Sequence, residues 1–248
     1  MLATPVAAAR SVLTYLVILI YIAIAAPVGL VVALVFRWKS GLYALGRAGV
    51  WLALMLPGIR YRVIGRENLP REAAVFCANH ESNVDPPALF LALHPRLHVL
   101  YKAELHKFPV MGNVFDVGGF VPIDRGDRTK WMASINRGAE SLKAGNSFLI
   151  FPEGTRSRSG ELLPFKKGGF LMAVQAQVPI VPVAIHGGRM SMQKGSPIVR
   201  PVTLTVRIGT PIPTAGLAAS DRDALIRRVR DDVQRLLDMN RHGDAKEG

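Results

Sequence analysis

Charged and apolar positions fall into blocks along this chain. Ser11 to Phe36 is an apolar run of 26 residues without a single charged side chain. As a helix it would reach about 39 Å, at roughly 1.5 Å per residue, which exceeds the hydrocarbon core of a bilayer. Ala23-Ile24-Ala25 resembles a leader cleavage site, but the run continues ten residues past Ala26, which argues against a cleaved leader. Pro27 and Gly29 lie within it, so the pattern predicts either a kinked span or a shallow hairpin. A second apolar stretch, Leu42 to Ile59, is broken by Arg47 and closed by Pro57-Gly58. It reads as an interfacial helix, with a core helix of the domain as the alternative.

Past residue 60 the pattern changes to short apolar runs bounded by turn residues. Arg62–Gly65, Ala73–Ala78, Leu97–Tyr101, Gly119–Ile123, Ser147–Phe151, Pro179–Ile185 and Val202–Ile208 read as strands. Pro179 and Pro182 mark the sixth as an edge strand or a bent one. Helical periodicity lies between the runs. Thr129–Ala144 puts Met132, Ile135, Ala139 and Leu142 on one face. The last helix, capped by Ser220, buries Leu225, Ile226, Val229, Val233, Leu236 and Leu237. Alternating strands and helices predict an α/β fold, a central sheet flanked by helices. The organisation is an N-terminal membrane-anchoring region (1–59), an α/β domain (60–240) and a polar tail (241–248).

Charge narrows the possible partners. The 248 residues carry a net charge of +13, which calls for an anionic partner: nucleic acid, anionic lipid or a phosphorylated substrate. Arg37, Lys39, Arg47, Arg60, Arg62 and Arg66 all precede Glu67, the first acidic residue. Such a cluster after an apolar run places the body on the cytoplasmic side, each cation adding about 1 kcal/mol of attraction to anionic headgroups. Aromatics are not interleaved with the basic turns, which counts against nucleic acid. Cys77 is the single cysteine, so no internal disulfide framework or multi-cysteine zinc site can exist. His94 and His98 are four apart, but Pro95 lies between them and no H-E-x-x-H helix is present, so no metal is expected.

Candidate chemistry sits where strands end. Asn79-His80-Glu81-Ser82-Asn83-Val84-Asp85-Pro86 follows the second strand and leads into a helix opened by Pro86. On one helix His80 and Asp85 would lie about 140° apart. A strand-to-helix turn can instead fold His80 over the helix start, where Asp85 holds one imidazole nitrogen and leaves the other as a general base. The alternative makes Asp85 a plain helix cap and His80 a turn residue. No G-x-S-x-G elbow accompanies the pair, and Cys77 lies in an apolar strand. A His-Asp pair without a nucleophile points to direct attack by a substrate hydroxyl on an activated acyl or phosphoryl group. Two further turns, Ile123-Asp124-Arg125-Gly126-Asp127-Arg128 and Phe151-Pro152-Glu153-Gly154-Thr155-Arg156-Ser157-Arg158, carry arginine forks and open glycine backbone suited to phosphate oxygens. Glu153 can orient a hydroxyl or lock an arginine. Lys102 closes the third strand, as an anion-stabilising group or a solvated lysine.

These blocks, in this order, resemble the glycerolipid acyltransferase family defined by an H-x4-D motif, and within it the 1-acylglycerol-3-phosphate acyltransferases. His80 to Asp85, Gly119-Phe120-Val121-Pro122-Ile123-Asp124-Arg125, Phe151-Pro152-Glu153-Gly154-Thr155-Arg156-Ser157 and Val178–Ile185 carry the resemblance over about residues 70–190, and Lys102-Ala103-Glu104-Leu105 also fits. The resemblance implies that His80 takes a proton from the free hydroxyl of lysophosphatidic acid while Asp85 orients the imidazole. The hydroxyl attacks an acyl thioester of coenzyme A or acyl carrier protein, with no other cofactor. Arg125, Arg156 and the Glu153-Gly154-Thr155 turn hold phosphate and glycerol, and Lys102 or backbone amides meet the oxyanion. It further implies a place on the cytoplasmic face of the inner membrane. A transacylase taking acyl groups from phospholipid, or an enzyme for another lyso-acceptor, would use the same pair.

Overall fold

The structure, a computed structural model, describes residues 4–93, 97–107, 110–124 and 126–244, apart from the side chains of Lys102 and residues 242–244. The apolar N-terminus forms one unbroken helix, α1 (Thr4–Val35), long and apolar enough to cross a membrane. The chain reverses at Phe36–Trp38 and returns as α2 (Lys39–Met55). A β-carbon on Gly29 would stand 2.7 Å from Leu42, and one on Gly49 2.7 Å from Tyr21, so glycine lets the two helices meet antiparallel at close range. Tyr21 fixes the register by donating to Leu45 O at 2.8 Å. The sequence placed a kink or reversal near Pro27. Instead Pro27 faces outward within the helix, and the reversal comes nine residues or more later. Arg10 Nε donates to Leu56 O at 2.6 Å, so the hairpin begins and ends at the same place.

Seven strands follow: β1 (Ile59–Ile64), β2 (Val75–Ala78), β3 (Leu97–Lys102), β4 (Val121–Ile123), β5 (Ser147–Ile150), β6 (Ile180–His186) and β7 (Val202–Ile208). They form one mixed sheet in the order β1-β7-β6-β2-β5-β3-β4. Pairing is parallel throughout except between β6 and β7. Helices α3 (Asp85–Ala92), α4 (Met111–Val117), α5 (Arg128–Lys143), α6 (Gly168–Ala176), α7 (Gly188–Ser191) and α8 (Arg222–Asp244) complete the described chain, with short 3-10 turns between. Strand alternation builds two cores. Val75 and Cys77 of β2 face Ile135, Leu142, Phe170, Val229 and Leu237, while Phe76 and Ala78 face Leu54, Leu89 and the other layer.

All seven expected strands are present, with three differences in detail. β6 is central, not an edge. Its Pro182 is tolerated because the ladder to β7 starts one residue later, at Val183, and Gly209 N donates to Pro182 O at 2.8 Å across the gap. The proline's missing donor therefore points to the β7 side, where no ladder partner waits. Met132 of α5 is 36% exposed, because the buried stripe runs through Ser134, Ile135, Gly138, Ala139 and Leu142. At the C-terminus, Ser220 sits within a 3-10 turn, and α8 continues to Asp244. Residues counted as the start of the polar tail are thus helical, and Arg241 donates to Gly160 O at 2.7 Å.

Candidate active site

Strands β6, β2, β5, β3 and β4 are neighbours and parallel, so their C-terminal ends lie along one edge of the sheet. In open α/β sheets this edge is where ligands bind. Every turn singled out in the sequence leaves the sheet there.

The turn after β2 is fastened on both sides. Asn79 donates through Nδ2 to Ile185 O at 2.9 Å and accepts from Ile185 N at 2.8 Å, tying it to β6. Beyond it the chain folds back so that His80 Nδ1 lies 2.9 Å from Asp85 Oδ2. That same oxygen accepts from the backbone N–H groups of Glu81 and Ser82, each at 2.7 Å. Two fixed donors make Oδ2 an acceptor, so the hydrogen between it and the imidazole belongs to Nδ1, and Nε2 is the nitrogen that carries the lone pair when the ring is neutral. Asp85 is fully buried while His80 is 16% exposed, so the base reaches the surface and its partner does not. Asp85 is itself the first residue of α3, and its carboxylate turns back to the preceding loop rather than capping the helix. The Phe151 ring stacks on the imidazole with centroids 4.2 Å apart, fixing its plane.

The turn after β5 holds the first one in place. Glu153 is buried, and both its oxygens are taken: Oε1 accepts from His80 N at 2.8 Å and Oε2 from Leu163 N at 2.9 Å. Burial raises its pKa, and those two N–H bonds pull it back. Glu153 therefore clamps the two turns together, each of its oxygens held by a backbone N–H. Ser157 N donates to His80 O at 2.8 Å, closing the clamp from the other side. Gly154 takes a positive φ of 69°, which glycine adopts without strain and which leaves the backbone open. Thr155 is exposed and Arg156 half-buried on the rim of the turn.

Further along the edge, Lys102 ends β3 opposite Ile123 of β4. Arg125 lies outside the described residues. Asp127 accepts from Thr129 N at 2.9 Å and Lys130 N at 3.1 Å, capping α5 just after that turn. At about 4.8 Å per strand, the end of β4 is roughly 14 Å from the end of β2. His98 Nε2 sits 3.1 Å from Tyr43 OH, and His94 lies outside the described residues.

Two candidate nucleophiles are engaged elsewhere. Ser82 Oγ donates to Met192 O at 2.7 Å, and Cys77 is buried, its thiol pKa pushed well up by burial and then by Glu153. What the turn presents is a base with an oriented imidazole, with neither of these two side chains free beside it. Behind the turn, an apolar cavity of about 410 Å³ runs between the hairpin and the domain. Its wall includes Pro86, Pro87 and Phe90 of α3, Gly46 and Val50 of α2, and Phe115 of α4.

Sequence reasoning missed three parts of this arrangement. These are the stacking of Phe151 on the imidazole, the backbone partners of Glu153, and the chain after Gly187. Paired glycines followed by Arg189 and Lys194, straight after a strand of that edge, were the available signal.

A family profile described as Acyltransferase matches residues 60–186. A 1-acyl-sn-glycerol-3-phosphate acyltransferase of Limnanthes douglasii is 32% identical, over 82% of this chain and 74% of that protein. One from Saccharomyces cerevisiae is 34% identical, over 73% of this chain and 61% of that protein. The crystal structure of the 1-acyl-sn-glycerophosphate acyltransferase PlsC of Thermotoga maritima superposes with a TM-score of 0.79, covering 95% of this chain and 97% of that one, at 23% identity.

Proposed function

Because this chain belongs to the acyltransferase family, we propose that it moves a fatty acyl group from a thioester of coenzyme A or acyl carrier protein to the sn-2 hydroxyl of lysophosphatidic acid, giving phosphatidic acid. The observation that carries this reading is the oriented imidazole: Nδ1 is held at 2.9 Å by a buried carboxylate oxygen, while the Ser82 hydroxyl is bonded to Met192 O and Cys77 is buried. Nε2 of His80 takes the proton of the acceptor hydroxyl as its oxygen attacks the thioester carbonyl. The carbon–sulfur bond then breaks, and the leaving thiolate takes that proton back from the imidazolium. Asp85 stabilises the positive charge in between, and no acyl-enzyme forms.

The oxyanion needs a donor. In the dyad turn the N–H groups of His80, Glu81, Ser82 and Asp85 are engaged, and Pro86 and Pro87 have none. In this reading Lys102, at the end of β3, takes that role, or a backbone N–H near the dyad does. Arg156 and Arg125 take the acceptor phosphate. The apolar cavity takes a substrate acyl chain, which keeps it out of water at about 0.8 kcal/mol per CH₂. The hairpin enters the bilayer from the side that holds the domain, on the cytoplasmic face, where a charge of +13 favours anionic lipid.

The test is acyl transfer by the membrane-bound protein against a panel of lyso-acceptors with both thioester donors. Lysophosphatidic acid should be the best acceptor. His80→Ala should abolish turnover without loss of fold, and Asp85→Asn should cost at least about 10²-fold, since an amide cannot accept three hydrogen bonds and charge-pair the imidazolium. Near-normal turnover of His80→Ala would remove the mechanism.

A further inference from the structure

The connection from β6 to β7, residues 187–201, lies outside the motifs but against both halves of the site. Its first part is pressed onto the dyad turn. A β-carbon on Gly188 would stand 2.2 Å from Asp85 Oδ1 and 3.0 Å from Ser82 Cβ, so only glycine fits, and Met192 O takes the Ser82 hydroxyl. Its far end is closed on itself and tied to the membrane hairpin. Arg200 N donates to Ser191 O at 2.9 Å, and Ser191 Oγ to Arg200 O at 2.8 Å. Val199 N donates to Ser11 Oγ at 2.8 Å, and Tyr15 OH to Pro197 O at 2.6 Å. The loop is therefore fixed at both ends, and what it presents between them is Lys194.

Lys194 reaches across to the turn after β5. Its Nζ donates to Thr155 Oγ1 at 3.0 Å and to Arg156 O at 3.0 Å. An ammonium has three N–H donors, so two are spent on the turn and one remains. No carboxylate pairs with it among the ion pairs of the described residues. A second cation, Arg156, belongs to the same turn. Two cations gathered at a half-buried turn without an acidic partner describe a site whose counter-ion comes from outside.

Resting on the acceptor reading above, we propose that Lys194 is a phosphate-binding residue of the acceptor site: two of its donors shape the Thr155-Arg156 turn and the third goes to a phosphate oxygen of the lysophospholipid. The loop then serves two sides of one reaction. Its start backs the base, and its tip holds the headgroup of the molecule whose hydroxyl that base deprotonates. Its ties to Ser11 and Tyr15 fix the headgroup site relative to the membrane helix.

Steady-state kinetics of Lys194→Met and Lys194→Gln test this, with lysophosphatidic acid and the thioester varied in turn and sn-glycerol 3-phosphate as a soluble competitor. Loss of one charge-assisted bond should raise the acceptor KM, and the inhibition constant of glycerol phosphate, about tenfold to a hundredfold. The donor KM, the pH profile of the rate and the melting temperature should hardly move. Lys194→Arg should recover part of the loss. An unchanged acceptor KM in a folded Gln variant overturns the proposal. So does a fall in kcat and melting temperature without a change in glycerol phosphate binding, because that marks a purely structural lysine. Failure of the broader reading looks different: the wild-type protein itself would then turn over no lysophosphatidic acid with either thioester.

Discussion

At the scale of single residues, the site depends on which carboxylates are allowed to keep a charge. Three lie in or beside the dyad turn. Asp85 receives three hydrogen bonds on one oxygen, and Glu153 receives two, one on each. Glu81 is 4% exposed, and its pKa is pushed from 4.5 to about 7, first by burial and then by the Asp85 charge, with Arg241 and Arg189 opposing. The folded state thus holds this proton more tightly than the unfolded chain does. The stability Glu81 contributes is complete below about pH 4.5 and is lost as pH rises through about 7. Glu81→Gln keeps the neutral shape, so it should melt like wild type near pH 5 and above it at pH 8. The gap corresponds to about 3 kcal/mol in full, several degrees for a chain of this size. Melting curves at the two pH values check this, and a gap that does not widen with pH would mean that the carboxyl is not held neutral. None of this was legible in the sequence. His80 and Asp85 stood out because their spacing suits a folded-back turn. Glu81 looked like an ordinary turn acid and Glu153 like a group facing the substrate, because only the fold shows that one is buried against Asp85 and that the other accepts from two backbone N–H groups.

At the scale of elements, the strands were legible and the hairpin was not. Each strand is a short apolar run closed by turn residues, a signal that survives without tertiary context. The antiparallel helices are a matter of small residues meeting large ones, Gly29 under Leu42 and Gly49 under Tyr21, and no periodicity announces which glycine meets which side chain. The same helices build the roof of the cavity beside α3. Gly46 lines it, and a β-carbon there meets nothing within 4 Å, so the wall has room to move inward. Gly46→Leu should fill part of the about 410 Å³ without straining the helix. An added isobutyl group brings four carbons, so in a close-packed wall it displaces roughly three or four methylenes. The variant should therefore prefer acyl chains shorter by that much in either the donor or the acceptor series. Rates over chains of graded length would show it, and an unshifted optimum in both series would mean that the cavity holds no chain.

At the scale of the whole molecule, two forces can hold the protein to a membrane, and they respond differently to salt. One is the net charge of +13. Attraction between exposed charges is screened within about 10 Å at 0.1 M salt and within about 3 Å at 1 M. The other is the outer face of α1, where Leu16, Ile20, Ile24, Val28, Val31 and Leu34 are 48–64% exposed, an apolar stripe that the domain leaves uncovered. Burial of that stripe in acyl chains does not weaken with salt. The sequence treated the apolar run and the cations after it as one signal of a span with a body beyond it. The structure separates them: Arg47, midway along α2, donates to Phe90 O at 3.0 Å. Part of the charge that looked like membrane attraction is therefore fastening the hairpin to the domain. The stripe should dominate, so 1 M sodium chloride should leave the protein on anionic vesicles and detergent should release it. Ile20→Lys with Ile24→Lys places two charges on that stripe and costs up to about 2.5–3.5 kcal/mol each, less near the interface. What binding remains to the double variant should then be electrostatic, and flotation at rising salt should release it steadily. Salt release of the wild-type protein would reverse the order of the two forces and make α1 an internal support of the domain.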